Sequence, residues 1–337
     1  MKLLIITQKV DKNDDVLGFF HKWLMQFASK CESLTVICLY EGEHNLSGNA
    51  KVLSLGKEDQ VSKITYVFNL YKYIISERKN YDAVFVHMNQ IYVVIAGWLF
   101  KLLKKKIYLW YAHGSTSLSL RLAISFCTKV FTSTITGLRV NTPKKVITGQ
   151  GIPVADFSVE RNYNVDGIDL ITVSRISEVK QIHKMIEVVE RLRSVGRHST
   201  LTILGDAITK KDRKYLSSLK TMVVEKDLEQ QINFVGSVIN DEIVLYLKQA
   251  TLFLNLSNTG SLDKAILEAM ATGLTVLTSN EALVSLIDDK YITSDDITDV
   301  TNHVLSLEKN DSSDLVKYVR ENHSLDGLVK KLISEME

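Results

Sequence analysis

Residues 170–204 read LITVSRISEVKQIHKMIEVVERLRSVGRHSTLTIL. The apolar run Leu170 to Val173 has the length of a strand, Ile182 to Leu192 carries apolar residues at helical spacing, and Leu201 to Leu204 is a second short apolar run. A helix placed between two strands carries the chain back to the end of the sheet where it began, so the strands run parallel. The alternation continues in both directions. Towards the C-terminus it predicts a helix over Arg213 to Val223, a strand over Ile232 to Val235, a helix over Asp241 to Lys248 and a strand over Leu252 to Leu256. Towards the N-terminus it predicts strands at Lys2 to Thr7, Leu34 to Tyr40, Ala83 to His87, Ile107 to Ala112, Lys129 to Thr132 and Lys145 to Thr148. Helices fill the intervals, among them Val61 to Arg78 and Ile91 to Leu103, and the tail from Ser294 to Glu337 also reads as helices.

At 337 residues the chain is longer than one core usually organises, and two domains are expected. The two prolines, Pro143 and Pro153, lie near the midpoint beside Gly149 and Gly151, and Ala155 to Gly167 has little periodicity. These features predict a first domain over 1–154, a linker over 155–168, a second domain over 169–320 and a C-terminal helix over 321–337. The expected fold class is α/β, with two doubly wound Rossmann-like domains facing a central cleft and ligands at the carboxyl ends of the strands.

The net charge of +2 conceals an asymmetry: residues 1–150 hold 20 Lys and Arg against 10 Asp and Glu, and the remainder holds 21 against 29. No helix-turn-helix, zinc-knuckle or aromatic RNP pattern accompanies the basic half, so nucleic acid is not the expected partner. An anionic membrane surface or a phosphate-bearing acceptor suits it better. Lys101, Lys104, Lys105 and Lys106 follow an apolar helix containing Trp98 and Phe100, which is either a solvated lysine face or a peripheral membrane contact. The three cysteines, Cys31, Cys38 and Cys127, read as small apolar fillers. The longest apolar run, Ile91 to Phe100, is about half of what spans a bilayer. Lys9, Asp11, Lys12 and Asp14 interrupt the apolar opening too early for a signal peptide, so a cytoplasmic location, including the inner face of the membrane, is expected.

Two segments carry the candidate chemistry. In VSRISEVKQ, Arg175 and Lys180 stand in the loop after a strand, where two cations suit a diphosphate as well as they suit a solvated loop. In residues 258–273, NTGSLDKAILEAMATG, a polar glycine-containing turn opens a short helix, with Ser261 as the expected N-cap. Unpaired amides at a helix start, at the positive end of the macrodipole, suit phosphate. Lys264 and Glu268 share one face of that helix, while Ile266, Ala269 and Met270 supply the buried one. Further candidates are His87, at the end of AVFVH, and His113, after LWYA, both at strand ends. Gly18 closes the polar loop that starts at Lys9, and the absence of GxGxxG argues against a dinucleotide-dependent dehydrogenase.

The set formed by Arg175, Lys180 and the EAMA-like segment around Glu268 resembles the donor site of retaining glycosyltransferases of the two-Rossmann-domain (GT-B) type, glycosyltransferase family 4-like, the glycosyl transferases group 1. The resemblance covers nearly the whole chain, with specific motifs only in the second half. It implies transfer of a hexose-type sugar from a nucleotide diphosphate sugar, UDP- or GDP-linked, to a glycan or lipid-linked acceptor, with no cofactor and no metal. It implies an acceptor-binding first domain, a donor-binding second domain and a last helix that crosses back to the first. His113, Arg175 and Lys180 take catalytic roles in this comparison. Gly18, Gly205, Gly260, Ser261, Leu262, Asp263, Lys264 and Glu268 surround the donor, and His87 is an acceptor-side candidate. Two positions depart from the pattern. Gln181 stands where the family commonly has glycine, and Gly260 stands eight residues before Glu268, where the family usually has a second carboxylate. Asp263, or the backbone amides of residues 260–262, are the alternatives for holding the sugar. A catalytically silent nucleotide-sugar binder or assembly partner, and a nucleotide-sugar epimerase, are the rival readings of the same fold.

Overall fold

The computed structural model describes residues 1–161, 167–257, 260–307 and 312–337. Part of the expected linker (162–166), Asn258 and Thr259 of the quoted turn, and residues 308–311 of the helical tail lie outside the described residues. The chain divides into two compact units, Met1–Gly151 with Leu325–Glu337, and Ile152–Ser324.

The first unit runs β1 (Lys2–Val10), α1 (Gly18–Lys30), β2 (Ser33–Glu41), β3 (Ala50–Ser54), α2 (Lys63–Ser76), β4 (Ala83–His87), α3 (Ile91–Leu102), β5 (Lys106–Trp110), α4 (Leu118–Phe126), β6 (Lys129–Thr132) and β7 (Lys145–Ile147). The strands form one parallel sheet in the order β3-β2-β1-β4-β5-β6-β7. Side chains of successive strand residues point to opposite faces, so β1 sends Leu4 and Ile6 into one core and Leu3 and Ile5 into the other. The first core is covered by α2, α3 and α4; the second is covered by α1 and the C-terminal helix. Strand β3, absent from the sequence pattern, is an edge strand with no fully buried residue, and so lacks the apolar run that marks the central strands.

The second unit runs α5 (Val154–Phe157), β8 (Ile168–Val173), α6 (Ile182–Ser194), β9 (Ser199–Leu204), α7 (Lys210–Glu225), β10 (Ile232–Gly236), α8 (Ile243–Leu247), β11 (Leu252–Asn255), α9 (Lys264–Ala271), β12 (Thr275–Thr278), α10 (Ile297–Leu307) and α11 (Ser313–His323). Its sheet is parallel, in the order β10-β9-β8-β11-β12. The opening stretch of the expected linker belongs to this unit. Phe157 is 2% exposed within its core, and Arg161 donates to the carbonyls of Gly273 (3.0 Å) and Ala250 (2.6 Å). One aromatic anchor and one arginine therefore fix a segment that periodicity leaves unassigned, and the division falls after Gly151 rather than after residue 154.

The last helix, α12 (Leu325–Met336), packs on the first unit. Leu328, Val329 and Leu332 enter the core beside α1, Lys129 Nζ donates to Glu335 Oε2 at 2.8 Å, and Lys30 pairs with Asp326 at 2.8 Å. Among the described residues no helix is long and apolar enough to cross a membrane. All three cysteines are buried and unpaired.

Candidate functional site

In the second sheet β8 lies between β9 and β11, so the connections leaving the carboxyl ends of β8 and β11 diverge to opposite sides. Such a switch point leaves a crevice at the sheet edge where ligands bind in doubly wound folds. The loop after β8 holds Arg175 and Lys180; the loop after β11 holds Gly260 to Asp263 and leads into α9.

Gly205 sets the shape of the β8 exit. It follows β9 at φ +127, and a Cβ there would lie 1.9 Å from the Ser174 carbonyl oxygen. No residue with a side chain fits, and the loops after β8 and β9 lie against each other as a result. Ser174 N donates to Leu204 O at 2.9 Å, Ile176 N to Asp206 O at 3.0 Å and Gly205 N to Gly236 O at 2.8 Å. Arg175 is exposed on this loop and forms no ion pair among the described residues. Gln181 ends it at φ 51, ψ 38, a left-handed conformation that turns the chain into α6 and that glycine adopts without strain.

Lys180 is 8% exposed, and its ammonium donates to Asp263 Oδ2 at 2.7 Å and to Ser257 Oγ at 3.2 Å. Asp263 is held from a second side by Asn255 Nδ2 at 3.1 Å. Asn255 in turn accepts through Oδ1 from Thr278 Oγ1 (3.2 Å), and Asn280 Nδ2 donates to Ser261 O at 2.8 Å. A buried lysine is retained only with such a partner, because an isolated ammonium in a protein interior costs several kcal/mol. The N-cap of α9 is Asp263, not Ser261 as the sequence pattern suggests. Leu262 is 5% exposed and ties the turn to the core, so the helix starts at Lys264. The Asp263 side chain makes no cap bond, since its carboxylate is turned to Lys180 and Asn255. The first amides of α9 are therefore not closed by their own cap residue, although Ile266 N donates to Asp263 O at 3.2 Å.

Glu268 is 1% exposed, one turn into α9, with Lys264 as its ion-pair partner and Asn240 Nδ2 donating to the same Oε1 at 3.1 Å. Gly260 adopts φ +65, a left-handed conformation that glycine takes more readily than a residue with a Cβ. The nearest carboxylate on this turn is Asp263, three residues later. Several buried polar atoms near the strand ends, Ser174 Oγ, Ser177 Oγ, Asn240 Oδ1 and Ser279 Oγ, have no protein hydrogen-bond partner among the described residues. Buried polar groups are otherwise nearly always paired.

The sequence pattern misses Asn240, Asn255, Thr278 and Asn280. Only Asn255 and Thr278 leave a signal, since they close β11 and β12, and a buried polar residue ending an apolar strand is atypical.

The candidates His87, His113 and Gly18 belong to the first unit. His87 is corrected to a core residue. It is 1% exposed, stacks on Phe20 with ring centroids 3.7 Å apart, faces Trp110, and lies 3.3 Å by Nδ1 from Thr7 Oγ1. Burial drives its pKa down to about 3, so the ring is neutral and closed off from any acceptor. The alternation along β4 explains this, because Phe85 and His87 point to the α1 side. His113 is exposed in the loop after β5, where its Nδ1 accepts from Ser115 N at 3.1 Å and its amide donates to Gly137 O at 2.8 Å. Gly18 is buried at the first position of α1. Asp14 orders the turn before it, accepting at Oδ1 from Val16 N (3.0 Å) and Leu17 N (2.6 Å). Burial raises the pKa of Asp14, but the bond to Lys9 and these two amides outweigh it and hold the carboxyl below its usual range.

The second unit and the fold of the chain both have counterparts among known proteins. Residues 156–323 match the family described as glycosyl transferases group 1. The group 1 match thus spans the second unit from α5 to the end of α11. Over 143 residues the chain is 29% identical to the amylovoran biosynthesis glycosyltransferase AmsK of Erwinia amylovora, covering 40% of this chain and 34% of that one. Over 122 residues it is 28% identical to the alpha-monoglucosyldiacylglycerol synthase of Streptococcus pneumoniae, covering 36% of this chain and 26% of that one. The matched regions span about a third or less of those curated relatives. Among solved structures, Anabaena Alr3699/HepE in complex with UDP and glucose superposes with a TM-score of 0.77 at 14% identity, covering 100% of this chain and 99% of that one. The structural neighbours establish the two-domain GT-B fold.

Proposed function

We propose that this protein is a retaining, metal-independent glycosyltransferase that moves a hexose from a UDP- or GDP-linked sugar to a glycan or lipid-linked acceptor. One observation carries the reading: at one switch point Lys180 of the β8 loop reaches the start of α9 on the β11 loop, with Arg175 on that same β8 loop. Two cations and a helix start supply positive charge for a leaving diphosphate, the largest electrostatic demand of sugar transfer from a nucleotide. In this reading Glu268 takes the ribose hydroxyls, with Asn240 and Lys264 orienting it, and Asp263 stands in for the carboxylate absent at Gly260. The acceptor oxygen bonds to the anomeric carbon on the face that the diphosphate leaves, and its proton passes to a phosphate oxygen, so configuration is kept. His113 is assigned to the donor sugar and Gly18 to a close backbone approach in the first unit.

The resemblance to a synthase named for diacylglycerol and to an amylovoran biosynthesis glycosyltransferase supports a glycan or lipid-borne acceptor, and UDP in the HepE complex supports the nucleotide. Incubation with UDP- and GDP-sugars, with and without EDTA, followed by assay of released nucleoside diphosphate, tests the reading. Release from one donor that persists in EDTA, and falls about 100-fold in Arg175→Ala without loss of thermal stability, is the expected result. A donor that binds tightly and is never cleaved, even with membrane extract as acceptor, sinks it in favour of the silent binder. The glycine at 260 keeps that second reading specific.

A further inference from the structure

Helices α2, α3 and α4 lie side by side over one core of the first unit. Tyr71 OH donates to Ile95 O at 2.7 Å, Trp98 Nε1 donates to Tyr71 OH at 3.3 Å, and Gly97 of α3 lies directly against Phe126 of α4. Their outward faces therefore form one surface, and that surface is apolar. On α2, Ile64 (82% exposed), Phe68 (66%) and Ile75 recur at helical spacing on the side away from Leu70 and Ile74, which the helix buries. Trp98 (52%) and Leu102 (71%) extend the surface on α3, and Leu118 (85%) extends it on α4. A surface helix with apolar residues on both faces is expected to have something to cover the second.

The charges decide what covers it. Not one Asp or Glu lies in α2, α3 or α4, and none lies anywhere between Asp82 and Asp156. Lys63, Lys72, Lys101, Lys104 and Arg121 are exposed there without an ion pair among the described residues. Two of the four clustered lysines are engaged, because Lys105 Nζ donates to Tyr81 O and Lys106 Nζ to Glu337 O (3.2 Å). Phe100 is fully buried, so Trp98 is the aromatic of α3 that faces outward. Lys104 holds φ +57 at the stop of α3, a left-handed position usually given to glycine, and so keeps a cation at the helix end against the backbone preference. Glu58 and Asp59 precede α2, but exposed apolar side chains on three helices that carry cations and no carboxylate complement an anionic lipid bilayer; a protein partner would have to supply most of the negative charge itself.

We infer that the α2–α3–α4 face is the surface by which this protein docks on anionic membranes, with Phe68, Trp98 and Leu102 entering the headgroup boundary. This deepens the reading of a lipid-borne acceptor, on which it rests for its purpose but not for its test. Vesicle sedimentation without donor, comparing phosphatidylcholine vesicles with vesicles of phosphatidylcholine and phosphatidylglycerol at low salt, is the experiment. The wild type should pellet with the anionic vesicles at least about tenfold better and be released by salt. Its tryptophan emission should shift to the blue, through Trp98 alone, since Trp23 and Trp110 are 1% and 2% exposed. Ile64→Ser with Phe68→Ser, and Lys101→Gln with Lys104→Gly, should each weaken partitioning about tenfold or more at unchanged melting temperature. Lys104→Gly relieves the backbone, so lost binding cannot be ascribed to misfolding.

Equal pelleting with neutral vesicles, wild-type partitioning by both variants, or a blue shift that survives Trp98→Phe would overturn the inference. So would dimers in sedimentation that the same substitutions dissociate, with no vesicle binding, since the face would then meet a second copy. Donor cleavage in a protein that ignores vesicles removes the docking surface alone; vesicle binding by a protein that cleaves no donor removes the transferase reading alone.

Discussion

Gly205→Ala joins the backbone of the site to its chemistry and allows a worked magnitude. The added methyl would sit 1.9 Å from the Ser174 carbonyl oxygen and 2.8 Å from its carbon, against a limit near 3.0 Å for real Cβ contacts. The exit of β8 must retreat by about 1 Å, which overpacking results set at about 1–3 kcal/mol. The retreat is resisted by the Ser174 N to Leu204 O and Gly205 N to Gly236 O bonds, 2.9 and 2.8 Å long. A side chain at φ +127 adds about 1–3 kcal/mol of strain. A total of about 3 kcal/mol, with an m-value of about 2 kcal/mol/M, moves the urea midpoint of the second unit down by about 1.5 M. Arg175 directly follows Ser174, so donor cleavage at a temperature where the variant is folded should also fall, by about 100-fold for a displacement near 1 Å. Gly196→Ala is the matched control, because that glycine has φ +75 but nothing within 4 Å of where its added methyl would sit. If Gly205→Ala proved no less stable and no less active than Gly196→Ala, the close approach would not shape the site.

Gln181→Gly should raise the melting temperature by about 2–4 °C, the equivalent of about 1 kcal/mol, by relieving the left-handed conformation at φ 51; scanning calorimetry reads it directly. Burial depresses the pKa of His87 to about 3 and of His323 to about 4, from 6.5. Below pH 6.5 the unfolded chain takes up protons that the folded one refuses, so stability is complete above pH 6.5 and declines as pH falls towards the folded values. Between about pH 7 and 5 each histidine should cost about 2 kcal/mol, and His87→Phe should flatten the urea midpoint against pH; an unchanged slope would refute the burial argument. Glu268→Ala leaves Lys264 and Asn240 without their shared acceptor, and should lower stability by about 2–4 kcal/mol. It should also weaken nucleoside diphosphate binding measured by calorimetry more than Arg175→Ala does, and unaltered affinity would remove the ribose assignment.

Much of the architecture is legible because parallel strands buried on both faces appear as short apolar runs, and crossover helices show their buried stripe. The strands β1, β4 and β8 carry runs such as LLII, AVFV and LITV that leave little choice. Strands β3 and β12 are not among the predicted strands, the first because an edge needs no apolar run. Individual candidate residues are partly legible. Arg175, Lys180 and Glu268 stand out by type and spacing, whereas Asn240 and Asn280 look like any loop asparagine until their partners are known. His87 misleads because a strand end fixes where a residue lies along the sheet, but not which face its ring enters.

Local order and chemistry along the chain thus follow from side-chain pattern alone, since helical and extended periodicity depend on neighbours a few residues away. Strand order does not. Only the packed sheet sets β8 beside β11, bringing Lys180 within 2.7 Å of Asp263 across 83 positions of chain. Only packing shows that the carboxylate of Asp263 is turned to the lysine instead of capping its own helix. The reason is physical: burying a charge forces it to find an opposite partner, and which partner is in reach is decided by the fold.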